Sequence, residues 1–294
     1  MELSLELIEQ LKLEYDINKV EEIIQGYNVK RYESFRINLL KANPTDILKI
    51  LDDHQIDYIE SSIYHYAYLT TSANLIRNLD IYKDGLIYFQ SLSSMLPPLY
   101  LNLKDNSDLL DMAAAPGSKT SFISMLNPKI NITACEIDKI RFERLKYNMD
   151  KLGVKNVNYL NQDATKLDDY FRFDEILLDA PCSGSGTINI FDNTSKFSMK
   201  LVKNSAILQK KLLIKALTIL KKKQEMIYST CSILKEENEE VLSSVKKIIN
   251  FEIIKLDTSK FINDELLPSN IDGVITIKPN EKYEGFFIAK LKKL

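Results

Sequence analysis

Apolar and polar residues alternate in a regular rhythm along the second part of the chain. Short apolar runs predict strands at 109–113, 132–137, 157–161, 173–179, 225–231 and 251–256, and segments with apolar residues at helical spacing lie between most of them. Alternation of strand and helix with short connections is typical of a doubly wound, largely parallel sheet. Two further runs, 274–278 and 286–291, have no helix between them, so we expect an antiparallel C-terminal hairpin at the edge of this sheet.

The first part of the chain follows a different pattern. Apolar residues at helical spacing predict two helices within residues 1–25, followed by a strand at 34–41, a helix that begins at Pro44 and a strand at 56–61. This mixture predicts a small α+β unit. We therefore expect an N-terminal unit at 1–85 and an α/β domain at 86–294.

The composition fits one large core with a smaller unit appended to it. The chain has 294 residues, of which 45% are hydrophobic. No apolar run approaches the roughly 20 residues that span a bilayer, and no secretory signal is recognisable. We expect a soluble, cytoplasmic and monomeric protein that does not contact a membrane.

The charge is nearly balanced overall but uneven along the chain. A net charge of -2 argues against a protein that binds nucleic acid over its whole surface. Between Met199 and Lys223, however, there are eight lysines and no acidic residue. A solvated helix face is the more common explanation of such a run, and phosphate binding is the alternative.

Two of the three cysteines follow predicted strands. Cys182 lies in L-L-D-A-P-C-S-G and Cys231 in Y-S-T-C-S. If both strands are parallel members of one sheet, the two thiols emerge at its carboxyl edge and face one cleft. An odd number of cysteines does not make a disulfide framework, and neither of these two has a neighbour at metal-ligand spacing, so we expect free thiols and no metal. Cys135, inside a strand, is expected to be inert.

Four successive strands each end in a group that could bind a ligand. The first leads into D-M-A-A-A-P-G-S-K-T (111–120), a loop of small residues that opens a helix and allows close approach of a ligand to the backbone. Glu136 ends the second strand, where an acidic side chain in such folds accepts hydrogen bonds from ribose hydroxyls. Asp163 ends the third strand and could accept a hydrogen bond from the exocyclic amine of adenine. Asp179 ends the fourth strand. The loop lacks the G-x-G-x-x-G pattern, which favours a nucleoside without phosphates over a dinucleotide.

The three motifs, in this order and at this separation, resemble those of the RNA cytosine-5 methyltransferases of the RsmB/NOL1/NOP2/Sun-domain family. The likeness extends to residues 35–38, 88–91 and 285–290 and covers nearly everything beyond the first thirty residues. The paired P-C and T-C motifs separate this family from other methyltransferases. Ala113 stands where the family usually has cysteine, and Ser118 where glycine is common.

The resemblance implies a Rossmann-like class I methyltransferase fold and S-adenosylmethionine as the methyl donor. It also implies which residues bind the donor: Ala113, Ala114, Ala115, Pro116, Gly117, Ser118, Lys119, Glu136, Asp163 and Asp179. The substrate would be a cytosine in ribosomal or transfer RNA, flipped out of its stack. Arg36 and Asn38 would belong to the RNA-facing surface, and Lys119 would orient Asp179 or the base.

The resemblance also assigns roles in catalysis. Cys231 would add to C6 of the cytosine and so activate C5, which is covalent catalysis by a thiolate. Asp179 would contact N3 and the exocyclic amine and stabilise charge as the adduct forms. Cys182 would help to expel Cys231 after methylation.

Two other functions remain open from the sequence. A DNA cytosine-5 methyltransferase would attack with Cys182 and have no use for Cys231. A non-catalytic RNA-binding or ribosome-assembly factor could retain the fold without turnover, although the presence of both cysteines and Asp179 argues against it.

Overall fold

A computed structural model describes residues 3–191 and 197–294. The N-terminal part contains five helices and a four-stranded antiparallel sheet in the order β2-β3-β1-β4. Its elements are α1 (Leu5–Glu14), α2 (Ile17–Tyr27), β1 (Glu33–Ile37), α3 (Pro44–Asp53), β2 (Ile59–Glu60), β3 (Ala67–Thr70), α4 (Ala73–Asn78), α5 (Asp80–Lys83) and β4 (Ile87–Phe89).

The start of α3 shows how the sequence sets these elements. Asn43 caps the helix by accepting a hydrogen bond from Thr45 N at 3.0 Å, and Pro44 occupies the first turn, where its missing N–H costs nothing. The helix therefore begins where the sequence predicts it.

The second part is built on a nine-stranded mixed sheet. Its elements are α6 (Leu92–Leu99), β5 (Asp108–Asp111), α7 (Ser118–Leu126), β6 (Asn131–Cys135), α8 (Lys139–Leu152), β7 (Val157–Leu160), β8 (Phe173–Asp179), α9 (Met199–Ile219), β9 (Leu220–Thr230), α10 (Glu239–Lys246), β10 (Phe251–Ile254), β11 (Leu266–Leu267), β12 (Ile275–Ile277) and β13 (Phe286–Lys293).

The order of the strands is β11-β12-β13-β9-β8-β5-β6-β7, and the five strands from β9 to β7 are parallel. This confirms the predicted doubly wound sheet. The chain runs from β5 outward through β6 and β7, then returns to β8 and β9 on the other side of β5. The direction of winding thus reverses between β5 and β8, which is where open α/β sheets bind ligands.

Helices cover both faces of the parallel strands, so neighbouring residues on one strand enter opposite cores. Leu110 and Leu178 lie in the core that includes α9 and α10, whereas Leu109 and Leu177 lie in the core that includes α6 and α7. All four are fully buried. Burial on both faces explains why these strands appear in the sequence as continuous apolar runs.

Two predictions about boundaries need correction. The C-terminal strand β13 is antiparallel as predicted, but it is not at the edge, because β9 pairs with one side of it and β10 and β12 with the other. The predicted unit boundary at residue 85 would separate β4 from its own sheet, since β4 pairs with β1. The N-terminal sheet therefore extends to Phe89.

Helices α1 and α2 do not pack on the N-terminal sheet. Leu7, Leu11, Ile23 and Tyr27 form a core with residues of the second part that include Ile233. The four-stranded sheet has a separate core. The first 85 residues are therefore not one packed body. In the described ranges, no helix is long and apolar enough to cross a membrane.

Candidate active site

The structure brings Cys182 and Cys231 together. Cys182 follows β8 and Cys231 follows β9, two adjacent parallel strands in which Asp179 lies opposite Ser229. The two cysteine side chains lie close enough for Cys231 to be the largest influence on the pKa of Cys182, and each is partly buried. The loops that carry them are also joined, because Gly186 N donates to the carbonyl oxygen of Cys231 at 3.0 Å.

The two thiols are not equivalent. The interaction with Cys231, burial and the nearby charge of Glu237 hold the pKa of Cys182 well above its usual range. At neutral pH Cys182 is therefore a thiol and can donate a proton.

Asp179 is held by two donors beside this pair. Lys119 Nζ lies 2.7 Å from Asp179 Oδ2 and 2.7 Å from Ser94 Oγ, and Ser229 Oγ donates to Asp179 Oδ1 at 2.7 Å. Burial alone would lower the pKa of Lys119, but the carboxylates of Asp179 and Asp111 keep it above its ordinary value. Lys119 is therefore charged and orients Asp179, which agrees with one of the two roles expected for it.

A buried carboxyl group, that of Asp111, lies near Asp179. It accepts a hydrogen bond from Thr120 Oγ1 at 2.7 Å, and burial raises its pKa to about 6. Thr120 and Ser229 lie inside the sequence motifs, so their participation could have been suspected. Ser94 lies in a helix with no such pattern, and only the structure shows that it contacts Lys119.

The loop 113–119 runs from β5 into the first turn of α7. Ala114 N donates to the carbonyl oxygen of Cys135, which fixes the loop to the neighbouring strand β6. Gly117 has a φ of +100°, and a Cβ atom there would lie 2.4 Å from the end of Met149, so the position requires glycine. The free N–H groups of the first turn of α7 are therefore at the sheet edge that carries the cysteines.

Glu136 follows β6 and is 3% exposed. Its Oε1 accepts a hydrogen bond from Asp138 N at 2.9 Å, but Oε2 is buried with no hydrogen-bond partner among the described residues, the Arg141 guanidinium being 3.7 Å away. A buried carboxylate oxygen without a donor is costly. Hydroxyl groups of a bound ligand would supply the missing donors.

Asp163 follows β7 and caps the short turn after it. Its Oδ1 accepts hydrogen bonds from the backbone N and the hydroxyl of Thr165, and Oδ2 lies 3.8 Å from Lys166. The strand order β8-β5-β6-β7 places Asp179, the loop 113–119, Glu136 and Asp163 in succession along one edge. This is the arrangement that the sequence predicted.

Arg36 and Asn38 lie in the interior and not on an RNA-facing surface. Each is 1% exposed. Arg36 donates to Gln90 Oε1 at 3.0 Å and to Ser121 Oγ at 2.7 Å, and Asn38 donates to two backbone carbonyl groups at 2.8 and 2.9 Å. The expectation that these two side chains contact RNA is therefore wrong, because both are enclosed and their donors are used inside the protein.

Cys135 lies inside β6, fully buried, and its sulfur donates to the carbonyl oxygen of Gln162. Burial raises its pKa to about 12, in agreement with the inert role expected for it. In the lysine-rich helix α9, Lys215 is paired with Asp169, and Lys221, just beyond the helix, with Asp174. Part of the lysine run is thus engaged in ion pairs.

A cleft of about 570 Å³ lies between the N-terminal sheet and the loop that follows Cys182. Basic and aromatic side chains contribute to its walls, together with two glutamates and several polar groups. These side chains include Lys30, Lys282, Phe89 and Phe191, of which Phe191 is exposed.

Comparison with known proteins identifies relatives of this chain. A family model described as 16S rRNA methyltransferase RsmB/F matches residues 98–292. Ribosomal RNA small subunit methyltransferase F of Vibrio vulnificus is 32% identical over 274 residues, which cover 89% of this chain and 58% of that protein. A probable ribosomal RNA small subunit methyltransferase B of Coxiella burnetii is 31% identical over 93% of this chain and 64% of its own length. The chain thus spans about six tenths of these two relatives.

Solved structures extend the likeness to the fold. A methyltransferase homolog protein from Pyrococcus horikoshii is 30% identical, with a TM-score of 0.81 over 99% of this chain and 100% of that one. NSun6 from Pyrococcus horikoshii, solved with SFG, has a TM-score of 0.87 at 22% identity, over 99% of this chain and 98% of its own, and supports the fold. The predicted class I S-adenosylmethionine-dependent methyltransferase fold is confirmed. The family predicted from the motifs is confirmed as well: the chain belongs to the 16S rRNA methyltransferase RsmB/F family.

Proposed function

We propose that the protein transfers a methyl group from S-adenosylmethionine to C5 of a cytosine in RNA. The observation that carries the proposal is the contact between the thiols of Cys182 and Cys231, next to Asp179 and at the same sheet edge as the loop 113–119. The names of the relatives favour small-subunit ribosomal RNA as the substrate, with transfer RNA as the alternative.

S-adenosylmethionine fits the residues along this edge. The unpartnered Oε2 of Glu136 would accept hydrogen bonds from the ribose hydroxyls, and Asp163 Oδ2 would accept one from the adenine amine. The backbone of 113–119 would line the methionine part. When bound, the cofactor supplies an electrophilic methyl group on a sulfonium.

The residues of the chain supply the rest of the reaction. Cytosine C5 is a poor nucleophile, and addition of the Cys231 thiolate to C6 forms an S–C6 bond and moves the C5–C6 π electrons toward C5 and N3. Asp179, held by Lys119, accepts hydrogen bonds from the exocyclic amine, and the neighbouring ammonium offsets the charge that develops on the ring.

Release reverses the addition after C5 has been methylated. A base removes the C5 proton, the C5=C6 double bond forms again, and the S–C6 bond breaks with its electron pair returning to Cys231. Cys182, a thiol next to Cys231, donates its proton toward the departing sulfur. The product base is 5-methylcytosine. The proton that Cys182 carried before the reaction then lies between the two sulfur atoms.

The raised pKa of Cys182 argues against the DNA methyltransferase alternative. That enzyme would attack with Cys182, whose raised pKa keeps it protonated. The non-catalytic alternative predicts no binding of S-adenosylmethionine, and isothermal calorimetry tests it directly.

RNA next to the target cytosine would lie in the cleft lined by Lys30, Phe191 and Lys282. Exposed aromatic side chains stack on unpaired bases, and lysines contact the phosphates. The cleft is close to the cysteines, because Gly285 N donates to Gly186 O, and Gly186 N donates to Cys231 O, while Glu284 lines the cleft.

Two cysteine variants test the proposed reaction, with Cys135→Ala as a matched control. We expect Cys231→Ala to abolish methylation of small-subunit ribosomal RNA and Cys182→Ala to accumulate a covalent protein–RNA adduct that resists denaturation. Bisulfite mapping of the RNA reports the modified position. Loss of turnover only in Cys182→Ala, with DNA as substrate, would overturn the proposal.

A further inference from the structure

A single turn contacts the loops of both catalytic cysteines. It consists of the 3-10 turn Lys235–Glu237 and Asn238, which precedes α10. The side chains of Glu237 and Asn238 are both 0% exposed, and the Tyr228 hydroxyl fixes the turn to β9 by donating to the carbonyl oxygen of Glu237 at 2.6 Å. Neither side chain can reach the substrate from this position.

Glu237 holds the loop of Cys182. Its Oε1 accepts a hydrogen bond from Ser183 N at 2.7 Å, and its Oε2 accepts one from Ser183 Oγ at 2.6 Å. Gln209, on α9, donates to the carbonyl oxygen of Pro181 at 2.9 Å and lies 3.4 Å from Glu237 Oε1. Glu237 therefore fixes the residue after Cys182 directly, and Gln209, its neighbour, fixes the residue before it.

Asn238 holds the loop of Cys231 in the same way. Its Nδ2 donates to the carbonyl oxygen of Ser232 at 2.9 Å, and its Oδ1 accepts a hydrogen bond from Thr230 Oγ1 at 2.6 Å. The residues immediately before and after Cys231 are thus both bound by one amide. Consecutive residues of one turn fix the two loops relative to each other.

We propose that Glu237 and Asn238 are positioning residues that set the contact between Cys182 and Cys231 and determine which sulfur is the nucleophile. The consequence for catalysis rests on the proposed function, whereas the effect on the thiols does not. Neither residue is a catalytic residue, since neither touches the reacting atoms.

The charges around the two sulfurs support this division. The negative charge of Glu237 acts on Cys182 and contributes to its raised pKa, while the positive charge of Lys119 interacts with Cys231. Burial raises the pKa of Glu237, and the hydrogen bonds from Ser183 stabilise its ionised form. Tyr228 also lies near Cys182, and burial and the charge of Glu237 raise the pKa of its hydroxyl. A negative group therefore faces the proton donor, and a positive group faces the nucleophile.

Alkylation of the individual cysteines tests the proposal without RNA or methyl donor. The full chain is treated with iodoacetamide at pH 8 to 9, and the rate at each cysteine is read by peptide mass spectrometry. Glu237→Gln keeps the size of the side chain and removes its charge, so we expect Cys182 to react about tenfold faster, as for a pKa about one unit lower. Glu236→Gln, on the same turn, is the matched control and should leave the rate at Cys182 unchanged.

The effect on turnover is a second and separate readout. We expect Glu237→Gln and Asn238→Ala to lower kcat by up to roughly a hundredfold, with little change in KM for RNA, because misplacement of reacting groups affects the chemical step. If wild-type protein methylates no RNA, the proposed function fails, but the alkylation rates still report on the turn.

Folding is checked by thermal unfolding of each variant. If Glu237→Gln does not fold, Ser183→Ala replaces it, because this change removes the hydroxyl donor to Oε2 and leaves the carboxylate buried with its backbone donor. A severalfold faster reaction of Cys182 is then expected, because a loosened loop weakens the interaction with Cys231 that contributes most to the raised pKa of Cys182. Reaction rates at Cys182 within about twofold of wild type in a folded variant overturn the proposal.

Discussion

At the scale of single residues, Arg36 carries a positive charge in the interior with no carboxylate at ion-pair distance among the described residues. Its guanidinium donates to Gln90 and Ser121 and lies over the rings of Tyr88 and Phe122. Burial lowers its pKa to about 10, so the group remains charged at neutral pH. Arg36 joins β1 of the N-terminal sheet to α7, the helix that the loop 113–119 leads into.

Replacement of Arg36 by lysine should therefore affect stability and not RNA affinity. Lysine keeps the charge but cannot form the forked contacts, so we expect the free energy of unfolding to fall by about 2–3 kcal/mol. RNA affinity of the folded protein should stay unchanged. Thermal unfolding and a filter-binding titration measure the two effects.

The matched variants for RNA affinity are Lys30→Ala and Lys282→Ala, in the cleft. Each should weaken RNA binding and reduce the salt dependence of the binding constant by about one charge, because each lysine would contact a phosphate. Weaker RNA binding by folded Arg36→Lys than by either cleft variant would contradict this assignment and return Arg36 to the RNA-facing surface.

The sequence predicted those residues of the candidate site that directly follow a strand of the parallel sheet. Cys182, Cys231 and Glu136 belong to this group, because the end of an apolar run marks the edge at which a ligand binds. The sequence did not reveal that Ser94 binds Lys119 or that Glu237 binds Ser183. Those contacts join residues that are distant in the chain, and no spacing pattern connects them.

At the scale of elements, helices α1 and α2 form a support for the two cysteine loops. The Tyr15 hydroxyl, on the turn between the helices, donates to the carbonyl oxygen of Ile233 at 2.5 Å, and the Tyr27 hydroxyl donates to that of Ser185 at 2.8 Å. Both acceptors are buried, Ile233 in the loop that follows Cys231 and Ser185 in the loop that follows Cys182. The helices thus connect the start of the chain to the proposed site.

Removal of these hydroxyls should loosen the loops without unfolding the helices. Each of Tyr15→Phe and Tyr27→Phe leaves one buried carbonyl oxygen without a donor, which costs about 1 kcal/mol. We expect the backbone amides of 183–188 and 231–235 to exchange about fivefold faster if they exchange by local opening. Hydrogen exchange read by mass spectrometry measures this, with the exposed Tyr170→Phe as control. Unchanged exchange in both loops would show that the hydroxyls do not support them.

Elements were predicted well where burial makes the pattern strong. The strands β5, β6 and β8 and the second half of β9 are mostly buried and appear as apolar runs, whereas β2, β3 and β4 have two to four residues and show no clear alternation. The predicted position of β13 at the sheet edge was wrong for a different reason. Periodicity along a chain identifies a strand but does not identify its neighbours in the sheet.

At the scale of the whole molecule, the division at residue 85 failed because contacts cross it in both directions. Ile63 and Leu69, from the N-terminal part, share a core with Phe122 and Ile277 of the second part. Composition and periodicity do not change sharply where two elements belong to a common core. A division into units from sequence is therefore less certain than the assignment of the fold.

Stability of the whole fold should depend on pH through Glu175, at the start of β8. It is 3% exposed, its Oε1 accepts a hydrogen bond from Asn102 N at 2.6 Å, and burial raises its pKa from 4.5 to about 7. The folded protein thus keeps this carboxyl protonated between pH 4.5 and 7, whereas the unfolded chain releases the proton. Its contribution to stability is full below pH 4.5 and is lost as the pH rises to about 7.

The variant Glu175→Gln stays neutral and so removes this dependence. We expect it to match wild type near pH 4.5 and to be more stable at pH 8, by at most about 3 kcal/mol. Thermal unfolding from pH 4.5 to 8 measures the difference, with Glu252→Gln, an exposed position on β10, as control. Asp179 lies four residues further along the strand, about 13 Å away, so turnover should not change. A stability difference that is constant across this pH range would mean that Glu175 titrates alike in the folded and unfolded chain.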